Sequence, residues 1–88
     1  MDRQWIDSFR EKLDQHHTWP SVYFFKFIVP TGKEKEVKEL FPAGHPATEK
    51  LSKQGNYTSV SVQIMMPSSD AVIEIYEKAS QIERIVAL

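Results

Sequence analysis

The segment from Ser52 to Ile64 constrains the fold more than any other part of the chain. It contains a polar stretch, then Gly55-Asn56, then a run in which serine or glutamine alternates with valine or isoleucine. Gly-Asn between two extended runs is typical of a tight turn, and strict alternation predicts a strand with one buried face. The segment therefore predicts a β-hairpin that directs Val60, Val62 and Ile64 into a core.

The composition is that of a small globular domain without cysteine. Eighty-eight residues, of which 41% are hydrophobic, allow one core. The formal net charge of -1 argues against a partner that is bound mainly through its phosphates. The absence of cysteine excludes disulfides, thiolate metal ligands and thiol nucleophiles. The start of the chain lacks a signal-peptide pattern and no apolar run could span a bilayer, so we expect a cytoplasmic protein that binds neither membrane nor nucleic acid.

The run from Val22 to Val29 predicts a central strand. It is rich in aromatic and β-branched residues, and it lies between Pro20 and Pro30. Its alternate positions form two faces, with Tyr23, Phe25, Phe27 and Val29 on one and Val22, Phe24, Lys26 and Ile28 on the other. Because both faces are largely apolar, we expect this strand in the middle of its sheet.

Apolar residues at helical spacing predict three helices. The first covers roughly residues 3 to 14. The second begins at Thr31, because Thr31-Gly32-Lys33-Glu34 has the Ser/Thr-x-x-Glu spacing of a capping box. The third follows Pro67-Ser68-Ser69-Asp70, which supplies a serine cap and an acidic first turn.

The predicted order of elements is a helix followed by β-α-β-β-α-β. The short, polar residues 47 to 53 suit an edge strand, and residues 85 to 88 predict the last strand. Two right-handed crossovers joined by a hairpin give a ferredoxin-like sandwich, an α+β fold with a four-stranded antiparallel sheet. We expect one domain over residues 1–88, made of an N-terminal helix in residues 1–16 and a ferredoxin-like core in residues 20–88.

Several segments of the chain resemble the YbeD-like family of small bacterial proteins. They are Ser52 to Ile64, Val72-Ile73-Glu74-Ile75-Tyr76-Glu77, Ile85 to Leu88, and Pro20 followed by the strand with Phe25-Lys26-Phe27. The likeness runs from about Phe9 to Leu88, and the chain departs from the family pattern at Gln54, in the loop from Pro42 to Pro46 and in its longer N-terminal helix. The resemblance implies a ferredoxin-like fold similar to small amino-acid-binding regulatory domains. It implies no catalytic residue, because no biochemical function is established for the family.

The first candidate site is the start of the second helix. Thr31, Gly32 and Lys33 follow a strand and open a helix, where free backbone N–H groups can hold an anion. The first glycine and the spacing of a phosphate-binding loop are missing. We therefore expect a small anion or carboxylate there at most, and the capping box explains the same residues without a ligand.

The second candidate site is the sheet face opposite the two crossover helices. It contains Phe24, Lys26, Ile28 and Met65. We expect the N-terminal helix to fold over this face through Trp5 and Phe9. The alternative is an exposed partner interface, because a large uncovered apolar patch is unusual on a monomer.

The remaining polar residues do not form a recognisable catalytic or metal site. His16 and His17 are neighbours whose side chains point apart, and His45 lies far along the chain, so we predict no metal and no cofactor. Ser59 and Ser61 fall on a regular strand without the strained turn of a nucleophile.

These observations favour a non-enzymatic regulatory or adaptor domain, either monomeric or homodimeric, that binds a small metabolite or a protein partner. The alternatives are a small enzyme acting near Thr31 to Lys33 and a weak nucleic-acid binder.

Overall fold

A computed structural model describes residues 2–88 of the chain. Its helices and strands follow the predicted order: α1 (Arg3–His16), β1 (Ser21–Pro30), α2 (Glu34–Lys38), β2 (Thr48–Leu51), β3 (Tyr57–Met66), α3 (Ser69–Ala79) and β4 (Val86–Ala87). None of the helices in this part of the chain combines the length and the apolar character that a membrane crossing would require.

The four strands form one antiparallel sheet in the order β2-β3-β1-β4. The two long strands therefore lie in the middle and the two short ones at the edges. Phe27 is opposite Val60 and Phe25 is opposite Val62, which fixes the register of the central pair. This topology confirms the predicted ferredoxin-like α+β fold.

The core lies between the sheet and the helices. Phe25, Phe27 and Val60 are completely buried on the inner face of the sheet. The ring of Tyr76 on α3 lies over them, with its centroid 5.4 Å from that of Phe25 and 5.7 Å from that of Phe27. Alternation along β1 and β3 thus directs one set of side chains to the helices and leaves the other set on what we call the outer face.

Helix α1 packs beside α3 and does not cover the outer face. The ring centroid of Phe9 lies 5.6 Å from that of Tyr76, and Leu13 is buried in the core. Arg10 Nε donates to Asp70 Oδ1 of α3 at 2.8 Å. The prediction that α1 folds over the outer face is therefore wrong.

The reason lies in the sequence of α3, which has apolar residues on two sides. Val72 and Tyr76 are buried towards the sheet, and Ile73 is buried beside Ile6 and Arg10 of α1. The second apolar side of α3 packs against the apolar side of α1. The apolar residues of α1 are therefore buried within the helix layer and do not need to cover the outer face of the sheet.

The hairpin forms with a longer turn than the Gly-Asn pair predicts. Ser52 N–H donates to the Tyr57 carbonyl at 2.8 Å, so the connection spans residues 53 to 56. Gly55 adopts a φ of 77°, the left-handed conformation that glycine accepts without strain. Its N–H donates to the Ser52 carbonyl at 2.9 Å and closes the turn.

Helix α2 is shorter than predicted and begins later. The prediction of a helix start at Thr31 is wrong, because Gly32 has a φ of 109° and cannot be helical. The Thr31 N–H continues the ladder by donating to the Asn56 carbonyl at 3.0 Å, and the Thr31 hydroxyl lies 3.1 Å from that of Thr58. The helix therefore starts at Glu34.

Candidate functional site

One end of the outer face is an exposed apolar cluster. Val22 of β1 lies opposite Met65 of β3, and Phe24 follows on the same face. The exposed fractions are 53% for Val22, 53% for Phe24 and 59% for Met65, although all three stand on the two central strands. Nothing among residues 2–88 covers them, so this cluster is open to a partner.

The other end of the outer face carries a second apolar group. Ile28 lies opposite Val86 of β4, and Leu88 N–H donates to the Lys26 carbonyl at 2.9 Å. Residues that are opposite each other in an antiparallel pair share a face, so Val86 and Leu88 stand beside Ile28 and Lys26. The predicted interface residues Phe24, Lys26, Ile28 and Met65 therefore lie on one face, as expected.

Two shallow cavities open on the outer face along β3. The smaller has a volume of about 380 Å³ and lies between Phe24 and Gln63 on one side and the loop at His45 and Pro46 on the other. The larger, of about 540 Å³, is lined by Ile28, Tyr57, Ser59 and the lysines at positions 50 and 53. Both are open depressions, which suit side chains of a partner better than an enclosed small molecule.

The charged side chains on the outer face of the four strands are lysines. Lys26 and Lys50 stand on it, Lys53 lines the larger cavity, and no aspartate or glutamate occupies an outer-face position of the four strands. None of these three lysines pairs with a carboxylate in the described residues. On the helix side, in contrast, Lys33, Lys38 and Lys78 pair with Glu36, Glu49 and Glu74 at 3.2, 2.5 and 3.0 Å.

The groups expected to hold an anion at Thr31, Gly32 and Lys33 already have partners. The Gly32 N–H donates to Glu34 Oε1, and Lys33 Nζ lies 3.2 Å from Glu36 Oε2. Two carboxylates thus occupy the donors that an anion would need. Binding of an anion or a small carboxylate at this position stays a prediction, and the local geometry gives it no support.

His45 covers the edge of β3 just beyond the first residue of β2. Its Nε2 lies 2.9 Å from the Gln63 carbonyl, and hydrogen bonding to a carbonyl requires the proton on Nε2. Because Thr48 is opposite Ser61, the position opposite Gln63 is Pro46, which has no N–H to donate. The imidazole replaces the missing ladder bond, so His45 has a structural role that explains its position without a metal.

A pair of tyrosines lies under the sheet without reaching the outer face. The hydroxyls of Tyr23 and Tyr76 are 3.1 Å apart. Burial, and then the hydrogen bond with Tyr23, raise the pKa of Tyr76 well above its ordinary value. Tyr76 therefore keeps its proton at neutral pH and acts as a core hydrogen-bonding residue.

Comparison with models of protein families assigns the chain to a family. The family model described as "Protein of unknown function (DUF493)" matches residues 14–88. The chain belongs to the DUF493 family. This confirms the resemblance to the YbeD-like family. The comparisons with curated proteins and with solved structures returned no match.

The DUF493 match covers the ferredoxin-like core and only the end of α1. Residues 3 to 13, which contain Phe9 and Arg10, precede the matched range. The outer face lies entirely inside it. The family description names no activity.

Sequence reasoning missed part of this face. Alternation places Val22 on this face, and its position opposite Met65 makes it the third member of the exposed cluster. Lys50 and Lys53 could not be assigned, because their position depends on the register and length of the hairpin.

Proposed function

We propose that this DUF493 domain is a non-enzymatic adaptor that binds a protein partner on its outer face. The observation that carries the proposal is the uncovered cluster of Val22, Phe24 and Met65 beside lysines without carboxylate partners. A partner surface complementary to the outer face therefore combines apolar side chains with carboxylates. We place this activity in the cytoplasm, on the sequence grounds given above.

The physical chemistry of the face supports a protein surface over other ligands. Apolar side chains on a central strand gain free energy when a partner removes them from water. The lysines around them attract carboxylates over a distance. They therefore raise the association rate of an acidic partner and the specificity for it. Nucleic acid would also be attracted, but Ser59, Ser61 and Gln63 occupy the outer face of β3 where neighbouring bases would need aromatic rings to stack. The two exposed rings of this face, Phe24 and Tyr57, lie at opposite ends of the strands.

A second copy of the chain fits the face less well. Apposed outer faces would bring the Lys26 and Lys50 side chains of both copies together without an intervening carboxylate.

A small enzyme at Thr31 to Lys33 and a metabolite bound there remain alternatives with less support. The Gly32 N–H already donates to Glu34, and Lys33 is already paired with Glu36, so neither group is free to bind a ligand. Both predict a bound small molecule whose retention is independent of Phe24.

The test is affinity capture with the intact protein, analysed by mass spectrometry for proteins and metabolites. The double variant Phe24→Ser, Met65→Ser removes the apolar cluster, and Trp5→Ser is the matched control, because Trp5 is an exposed aromatic residue on α1. Each protein retained by the parent is then purified, and its binding is measured by calorimetry. We expect the double variant and Lys26→Glu to weaken binding by about tenfold or more and Trp5→Ser to leave it unchanged.

Retention of the same proteins with the same affinity by all variants would contradict the proposal. Retention of a metabolite alone, independent of the outer face, would favour the alternatives at Thr31 to Lys33.

A further inference from the structure

The larger cavity of the outer face lies against the β2–β3 hairpin and has a volume of about 540 Å³. We call it the hairpin cavity. Its apolar lining comes from Ile28, Leu51 and Tyr57, of which Leu51 is 58% and Tyr57 49% exposed. Strand β4 borders Ile28 at Val86 and runs from there towards Lys26, so it leads away from the cavity. The hairpin cavity is thus bounded by β1, β3 and the hairpin.

The charged and hydroxyl groups around the hairpin cavity are hydrogen-bond donors. Lys50 and Lys53 line it, and among residues 2–88 neither forms an ion pair with a carboxylate. The Ser52 hydroxyl oxygen accepts from the Tyr57 N–H at 3.1 Å, which leaves the hydroxyl proton available to a further acceptor. Two ammonium groups and a hydroxyl group at one rim favour a carboxylate there.

The backbone beneath the hairpin cavity is used inside the sheet. Ser59 lies opposite Lys50 of β2, and Ile28 lies opposite Val86 of β4. Because strands direct their N–H and C=O groups sideways, the face of the sheet offers only side chains to a ligand. An α-helix that lies on this face satisfies its own backbone groups, whereas an extended segment there depends on water for them. An apolar sheet face is commonly packed against helices for this reason.

We propose that the hairpin cavity receives an acidic, amphipathic α-helix of the partner. The inference rests on the proposed function and specifies the partner's chemistry. A leucine or phenylalanine of the helix enters between Ile28 and Tyr57, where its burial removes apolar surface from water. A glutamate or aspartate one turn along the helix pairs with Lys50 or Lys53, so that the lysines select an acidic helix over a basic one.

The probe is an alanine-rich synthetic helix of about 20 residues, with leucines four residues apart and glutamates beside them. Its binding to the intact protein is measured by calorimetry. The variant Lys50→Glu, Lys53→Glu should weaken binding by about tenfold or more. The matched control is Lys12→Glu, Lys35→Glu, which changes the net charge equally on the two helices α1 and α2. We expect the control to bind within about threefold of the parent, because exposed charges far from the cavity are screened by salt.

A peptide in which lysines replace the glutamates tests the ion pairs themselves. It should bind the Lys50→Glu, Lys53→Glu variant about tenfold or more tightly than it binds the parent protein. The control variant has the same net charge and should not show this gain. Structural damage from the substitutions would lower the affinity for both peptides and could not produce the exchange of preference.

A third peptide tests the helical form. Proline replaces one central alanine on the side away from the leucines, which preserves the contact side chains and breaks the helix. We expect it to bind about tenfold or more weakly than the parent peptide. In NMR spectra the parent peptide should shift the methyl signals of Ile28 and Leu51, whereas those of Ile73, buried beside α1, should not move. These two measurements use the unchanged protein, so a variant that fails to fold does not hide the result.

Three results would overturn the inference: equal binding of the proline peptide, equal effects of the two double variants, or no binding at millimolar peptide. Methyl shifts at Ile28 and Leu51 with octanoate but not with peptide would also overturn it and assign the cavity to a small carboxylate. Loss of the captured protein by the Phe24→Ser, Met65→Ser variant but not by Lys50→Glu, Lys53→Glu would refute this inference and leave the proposed function standing.

Discussion

Replacing Phe27 by alanine tests the assignment of the two sheet faces. Phe27 is 0% exposed, and its ring centroid lies 6.2 Å from that of Phe25 and 5.7 Å from that of Tyr76. Truncation removes buried contacts and leaves a cavity, a change that costs about 3–5 kcal/mol. At ~0.05–0.15 kcal/mol per residue the whole domain has a free energy of unfolding of roughly 4–13 kcal/mol. We expect Phe27→Ala to remove roughly a quarter of it or more.

The matched control is Phe24→Ala, which changes the same residue type on the same strand but on the outer face. Phe24 is 53% exposed, so about half of the ~1.5–3 kcal/mol of a buried phenylalanine is lost, or about 1 kcal/mol. Urea denaturation followed by circular dichroism measures both variants. Equal losses of unfolding free energy in the two variants would refute the face assignment, as would a Phe27→Ala variant that unfolds at the urea concentration of the parent.

Three further predictions concern other parts of the fold. Gly55→Val should lower the free energy of unfolding by about 1–2 kcal/mol, and by more than Asn56→Ala does. A side chain resists the φ of 77° at Gly55, although the space around this position is open. Equal losses of the two variants in urea titrations would count against this prediction. Tyr76, whose pKa burial raises, keeps its proton in the folded state while the unfolded state ionises near its ordinary value of about 10. Stability should therefore be complete below about pH 10 and fall above it, and Tyr76→Phe should remove this part of the pH dependence in urea titrations at alkaline pH. Deleting residues 2–14 should uncover Ile73 on α3, lower the melting temperature and increase binding of a hydrophobic dye; a truncated chain that melts like the parent and binds no dye would contradict the packing of α1 on α3.

Local patterns predicted the fold because they agree with one another. Alternation at Val60, Val62 and Ile64 fixed the inner face of β3, and the two apolar faces of Val22 to Val29 placed β1 in the middle of the sheet. These are properties of neighbouring residues and of strand periodicity, so the sequence alone contains them.

The failures concern choices between partners that are distant in the chain. Trp5 and Phe9 give α1 an apolar side, but the sequence does not say whether the sheet or α3 accepts it. Thr31 fits a capping box, but Thr58 and Asn56, far along the chain, take its hydroxyl and its N–H.

The contact between Arg10 and Asp70 determines how the docked helix responds to ionic strength. Arg10 is paired with Asp7 and Asp70 at 2.8 Å each, but both carboxylates are exposed to solvent. At molar salt the screening length falls to about 3 Å, so these exposed pairs contribute little. The burial of Leu13 does not weaken with salt, so α1 stays packed on α3 at molar salt. The ion pairs that orient α1 are then screened. The apolar contact therefore holds α1 on the domain, and the ion pairs of Arg10 set only its orientation.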